Sequence, residues 1–210
     1  MERAESVAEE IRDMSGKAVA AQADVTACES FQEMVARIEV ALGAIGVLVN
    51  NAGNVGVDPH ADTSKPFRET GPHVWNSTIG VNFCGVLNCV SAVVPGLIQR
   101  KAPGRIITII SDAARFGDSG MGMEVYARAK PGAARFTRGA ACALGRYDIT
   151  ANDIAIAYIE TPTTADYLRS DPERLKRMLS IHIVRRSAQP YDITNMALFL
   201  AADASSRITG

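Results

Sequence analysis

Short runs rich in β-branched residues alternate along this chain with longer stretches of helical periodicity. That order predicts an α/β fold, a doubly wound parallel sheet with helices on both faces. Three observations carry the prediction. Val47-Leu48-Val49 and Ile106-Ile107-Thr108-Ile109-Ile110 are nearly unbroken apolar runs, as parallel strands covered on both faces require. Between them, sets such as Phe31, Met34, Val35 and Ile38 repeat at helical spacing. With 210 residues, 47% hydrophobic and 21% charged, the chain suffices for a single domain over residues 1–210.

The elements follow in order. Glu2 to Ser15 reads as an amphipathic helix with Val7, Ala8, Ile11 and Met14 on one stripe, and Gly16 stops it. Ala18 to Ala23 is short and apolar, a buried strand that ends at Asp24-Val25. Thr26 with Glu29 three residues on is a capping-box pattern that opens a helix to Ala41. Gly43 and Gly46 separate it from the strand Val47 to Val49, and Asn51 to Thr70 is a loop. A helix spans Val74 to Arg100, with Pro95 expected to kink or end it early. Next come the strand Ile106 to Ile110, a loop from Asp112 to Gly122, a helix from Tyr126 to Leu144 and a strand from Ile149 to Ala155. Tyr158 to Ser187 is polar and arginine-rich, with a helical piece from Glu173 to Leu179. Asp192 to Ala202 is a helix with Ile193, Met196, Ala197 and Leu200 inward.

The formal net charge of -1 offers no basic excess for nucleic acid. Cys28, Cys84, Cys89 and Cys142 are scattered and read as small buried hydrophobes in a reducing compartment. His60, His73 and His182 are too far apart for a zinc site, so no metal is expected. The start is acidic and helical, and no apolar run is read as membrane-spanning, which gives a cytoplasmic expectation with no membrane partner.

Tyr126 and Lys130 stand four residues apart and share one helix face. A phenol titrates near pH ~10, and an ammonium one turn away favours the phenolate and pulls that value toward the working range. Ser111 follows an apolar strand, at the end where open α/β sheets build their sites. Taken alone, such a Tyr-Lys pair is usually a solvated helix pair, Ser111 a strand-end cap, and Asp24 a helix cap. The order Val47-Leu48-Val49-Asn50-Asn51-Ala52-Gly53, Asn82-Phe83-Cys84-Gly85, Ser111, then Tyr126-Ala127-Arg128-Ala129-Lys130 changes that weighting. It resembles the short-chain dehydrogenase/reductase family, and the likeness runs from Glu2 to Gly210.

The resemblance implies a Rossmann-like fold and an oxidoreductase that interconverts a secondary alcohol and a ketone by hydride transfer with NAD or NADP. It implies that Tyr126 is the general acid/base, that Lys130 lowers its pKa and holds the nicotinamide ribose, that Ser111 orients the substrate oxygen, and that Asn82 holds a relaying water. It further implies a cofactor set of Asp24, Val25, Asn50, Ala52, Gly53, Tyr126, Lys130, Ile159 and Thr161, a substrate lid over 158–187, and pairing into homodimers or homotetramers through the helices at Val74 to Arg100 and Tyr126 to Leu144. The Ser111-Asp112-Ala113-Ala114-Arg115 stretch is similar to hydroxyacyl-coenzyme A dehydrogenases and 3-oxoacyl reductases. Arg169, Arg174, Arg177, Arg185 and Arg186 suit an acyl-CoA or acyl-carrier substrate, or equally a solvated lid helix.

Against the family pattern the sequence lacks the first two strands, the glycine-rich loop that takes the pyrophosphate, and the last strand. The expectation is a chain that alone is unstable or binds dinucleotide poorly, and the alternative function is a catalytically inactive fragment or subunit retaining only oligomerisation surfaces. Ile156-Ala157 stands where Pro-Gly is usual, Gly46 where Asp is common, and the Ser111 to Tyr126 spacing of fifteen is long for the family. Pro131 inside a helix costs ~3 kcal/mol and is expected to tilt Lys130 away from Tyr126.

Overall fold

A computed structural model of the chain describes residues 1–53, 65, 67–112, 124–161, 165, 171–180 and 182–210. Its centre is a parallel sheet of β1 (Val47–Asn50), β2 (Gly104–Ser111) and β3 (Ile149–Ile156), in that spatial order. Alternation along the strands sorts their apolar residues between two layers. Ile106, Ile149 and Ala151 face α4 (Gly85–Arg100) and α5 (Tyr126–Leu144), whereas Ile107, Ile109 and Ile154 meet α7 (Pro190–Ala201) on the other side. Helices on both faces of a parallel sheet make this the doubly wound α/β architecture that the runs predicted. Gly104 opens β2 because a Cβ there would stand 2.8 Å from Leu97 Cδ1 and 3.1 Å from Ile149 Cγ1.

The long helical stretch Pro72–Arg100 is interrupted, but not at Pro95. α3 (Pro72–Ile79) passes into a π-turn at Gly80–Cys84, and α4 then continues through Pro95 to Arg100. This stretch is long and apolar enough to cross a bilayer, contrary to the sequence reading that no apolar run approaches that length. Its α4 part instead packs against α2 (Cys28–Leu42), β1, β2 and α5, which explains why it is apolar over so much of its surface.

The N-terminal region departs most from expectation. α1 (Glu2–Asp13) forms, yet of its apolar stripe only Ala8 is buried; Val7, Ile11 and Met14 stay exposed. Ala18 to Ala23 is not a strand. A strand needs a partner's hydrogen bonds, and among the described residues β1 pairs with β2 alone. Thr26 does not cap α2: its N–H and hydroxyl both donate to Asp24 Oδ1, at 2.8 and 2.7 Å, and Ala27 becomes the N-cap. Cys84 and Cys142 are exposed rather than buried, because they lie on outer helix faces, and all four cysteines are free thiols. Met196 is likewise exposed, while Leu200 is buried and Ile193 and Ala197 pack inward. α6 (Pro172–Ser180) is the helical piece expected within the arginine-rich segment.

Candidate active site

Five of the residues singled out from sequence converge beyond the C-terminal end of β2. Ser111 ends the strand, and Tyr126 is the first residue of α5. Their side chains hydrogen-bond to each other. Lys130, one turn on, is buried and donates from Nζ to Ile109 O at 2.9 Å. Asn82 sits in the π-turn with no solvent exposure (0%), its Nδ2 donating to Thr78 O at 2.9 Å. Turns of this kind re-aim a helix side chain, and they recur at functional sites. Gly53 closes the group: a Cβ there would lie 2.7 Å from Lys130 Nζ and 2.9 Å from Asn82 Oδ1. Only glycine lets the backbone after β1 approach both.

The remaining residues stand around this cluster. Asn50 is buried at the end of β1, its Nδ2 donating to Thr108 Oγ1 at 3.3 Å, and Ala52 is exposed on the turn that follows. Asp24 turns back on Thr26, and Val25 O accepts from Asn88 Nδ2 at 2.9 Å, which ties the segment to α4. Ile159 bridges to Ala188, and Glu160 N donates to Ala188 O at 2.8 Å, fixing the stretch that carries Thr161. Residues 162–164, 166–170 and 113–123, which hold Arg169 and much of the expected lid and loop, lie outside the described residues, as do the side chains of Arg174 and Arg177. Arg186 is engaged by Asp192 at 2.8 and 2.9 Å, so it does not stand open for a substrate phosphate; Arg185 is exposed.

Two expectations about the pair need correcting. Burial raises the Tyr126 pKa, the Ser111 hydrogen bond opposes this and the Asp112 charge adds to it. Burial lowers that of Lys130. Lys130 Nζ lies 5.9 Å from the Tyr126 ring centroid with a hydrogen bond committed to Ile109 O, so in this state it does not pull the phenol down. Pro131, in turn, neither breaks α5 nor turns Lys130 out of the site. The carbonyl it leaves without a helical donor is that of Ala127, and Arg128 Nη1 donates to it at 3.4 Å.

Sequence reading missed one neighbour. His182 Nε2 lies 3.9 Å from Asp112 Oδ2, which puts the segment after α6 beside Ser111 and Tyr126. Residues so far apart in sequence carry no local signal of such a contact.

The cluster fits the nicotinamide end of a dinucleotide. It offers a bare glycine backbone, a buried ammonium and a hydroxyl pair, whereas no strand–glycine-rich turn–helix unit for the pyrophosphate stands among the described residues.

Comparison with known proteins agrees with this geometry. The family described as Enoyl-(Acyl carrier protein) reductase matches residues 1–210. The chain is 34% identical over 189 residues to an acetoacetyl-CoA reductase of Shinella zoogloeoides, covering 89% of this chain and 73% of that protein. It is 30% identical over 210 residues to a 3-oxoacyl-[acyl-carrier-protein] reductase of Staphylococcus epidermidis, covering 100% of this chain and 80% of that one. A gluconate 5-dehydrogenase from Burkholderia cenocepacia, solved with NADP and tartrate, superposes with a TM-score of 0.87 at 29% identity, over 99% of this chain and 77% of that one. The chain therefore belongs to the short-chain dehydrogenase/reductase family of NAD(P)-dependent oxidoreductases that interconvert alcohols and ketones.

Proposed function

We propose that the substrate is a β-keto or β-hydroxy acyl thioester, carried on coenzyme A or an acyl carrier, and that Tyr126, Ser111, Lys130 and Asn82 process its oxygen. The observation that carries the reading is the Ser111–Tyr126 hydroxyl pair at the end of β2, with Lys130 beneath it and Asn82 turned inward by the π-turn. The nicotinamide, when bound, supplies or takes up the hydride. Tyr126 gives its phenolic proton to the oxygen in reduction and recovers it in oxidation. Ser111 donates its one hydroxyl hydrogen to that oxygen, which holds the oxygen in line with the phenol. Lys130 and Asn82 hold the ribose side and the route by which the proton is replaced, and Asp24, Val25, Asn50, Ala52, Gly53, Ile159 and Thr161 complete the cofactor contacts.

Acyl-thioester substrates are named for both curated relatives described above, which supports the substrate class. The segment over 158–187 covers the substrate in this reading. Assembly as a homodimer or homotetramer is part of it too. Phe67, Trp75, Ile79, Phe83, Val125 and Gly132 line an open apolar hollow of about 670 Å³ on α3 and α5, a surface suited to the same helices of a second copy. A cytoplasmic setting accords with four free thiols.

The test is oxidation of NADPH and of NADH by the purified chain with acetoacetyl-CoA, against a polyol-derived ketone as comparison. The proposal predicts turnover with the thioester and at least a tenfold preference for it in kcat/KM, about 1.4 kcal/mol of transition-state discrimination. Equal turnover of both ketones would refute the substrate class, and no turnover of either would refute catalysis by this chain.

A further inference from the structure

The stretch from His182 to Ala188 runs from the end of β2 to the segment that follows β3, and its two ends are held in different ways. Ser111 and Ile156 close the two strands as register partners, so the chain leaves both at one level of the sheet. At the far end of the stretch the backbone does the holding. Ala188 O accepts from Glu160 N at 2.8 Å, Ala188 N donates to Tyr158 O at 3.4 Å, and Ala188 forms a parallel bridge with Ile159. Arg186 adds its forked ion pair to Asp192 of α7.

The near end is held by side chains. His182 N donates to Leu179 O at 3.2 Å, which makes His182 a continuation of α6. Its Nε2 meets Asp112 Oδ2 at 3.9 Å, a charge contact rather than a hydrogen bond. Both partners are largely shielded, with side chains 15% and 26% exposed, so the attraction is screened less than in a fully exposed pair. Between the two ends nothing apolar anchors the strap: Ile183 is fully exposed and Val184 largely so. Asp112 directly follows Ser111, and its charge also acts on the Tyr126 phenol, after burial and the Ser111 hydrogen bond. One carboxylate thus faces both the proton donor and the strap.

We infer that His182 is a positioning residue: paired with Asp112, it pins the end of α6 and the strap after it against the strand end that carries Ser111. The pin is the end that releases to admit substrate, and Ala188 is the end that stays fixed. The consequence for turnover rests on the oxidoreductase reading; the pin itself does not.

The experiment is backbone amide relaxation by NMR on the full chain at about pH 6. Wild type, His182→Gln, Asp112→Asn, the double variant and the cation-preserving His182→Lys are compared. The wild-type amides of His182 and Ile183 are expected to be as rigid as the sheet, with order parameters of about 0.85. They fall below about 0.6 in His182→Gln and in Asp112→Asn, while Ala188 and Glu160 stay rigid. The double variant falls no further than either single one, because both changes remove the same contact. His182→Lys keeps the strap rigid. Strap amides that stay rigid in His182→Gln overturn the inference, as do amides already mobile in wild type or a double variant whose loss is the sum of the two. Should one single variant not fold, the other decides together with His182→Lys. With acetoacetyl-CoA, His182→Gln is expected to raise KM by about tenfold, with the smaller change in kcat, and His182→Lys to restore it. An unchanged KM beside a loosened strap overturns the link to substrate entry. A strap that loosens as expected in a chain that turns over no ketone refutes the functional reading alone and leaves the pin standing.

Discussion

The two edges of the sheet use similar sequences in opposite ways. The outer edge of β3 is met by the chain's last residues: Gly210 N donates to Ala151 O at 3.0 Å, and Asn152 Nδ2 donates to Ile208 O at 2.9 Å. At the other edge, β1 pairs with β2 alone among the described residues, and Val47 and Val49 remain 41% and 46% exposed. Earlier in the chain, α1 leaves Val7, Ile11 and Met14 exposed, and Val19, Ala21 and Val40 border an open hollow of about 460 Å³. Periodicity tells which face of an element is apolar. It does not tell whether anything covers that face. The reactive side chains Ser111, Tyr126 and Lys130 rise from the central strand β2 and from α5, which packs on β2 and β3.

The sharpest test of that contrast is a pair of truncations. Leu97 is 1% exposed under Gly104 and Ile149, so Leu97→Ala is expected to cost about 2–5 kcal/mol of stability. Val49→Ala at the open edge should stay within about 0.5 kcal/mol. Denaturant unfolding of both variants checks this, and similar costs would erase the distinction. A smaller gain is expected at Pro131→Ala, which gives Ala127 O its helical donor back; a single hydrogen bond of this kind contributes about 1 kcal/mol. A less stable variant would mean that Arg128 already serves that carbonyl fully.

Acidity distinguishes the regions more finely. Asp153, raised from 3.8 to about 6, favours the folded state when protonated, so its contribution is complete below pH 3.8 and is lost as pH rises through 6. Asp192 behaves in the opposite sense. It is held at about 2 by Arg186 and by the Gln189 N–H, so its contribution is present above pH 3.8 and is lost as pH falls through 2. Melting curves of Asp153→Asn should lose the loss of stability between pH 4 and 7 that wild type shows. Asp192→Asn, which weakens the exposed Arg186 pair and the capping box that opens α7, should produce the smallest change, visible as faster amide exchange in the first turn of α7.

Much of this fold is legible in the sequence alone. The runs at Val47 and Ile106 and the stretches from Val74 and Tyr126 gave the layers, because burial on two faces leaves an unmistakable apolar signature. The order of Asn82, Ser111, Tyr126 and Lys130 pointed to a site whose members are indeed neighbours. What escaped were contacts set by tertiary structure. No residue type announces the π-turn that carries Asn82. Pro131 looked disruptive because Arg128 cannot be seen from sequence to reach the Ala127 carbonyl. Ala18 to Ala23 has the composition of a strand, but strand identity belongs to a pair. Asp153 could have been flagged, since Ile149, Ala151 and Asp153 alternate onto one buried face.

Tyr126 as the proton donor is the centre of the proposed mechanism. Single-turnover reduction of acetoacetyl-CoA by wild type and by Tyr126→Phe, with folding of both checked by circular dichroism, tests it directly. The expected result is a fall of about 10²–10⁴-fold in the rate of the variant with the fold unchanged. A Tyr126→Phe chain that reduces the ketone at the wild-type rate would contradict the account.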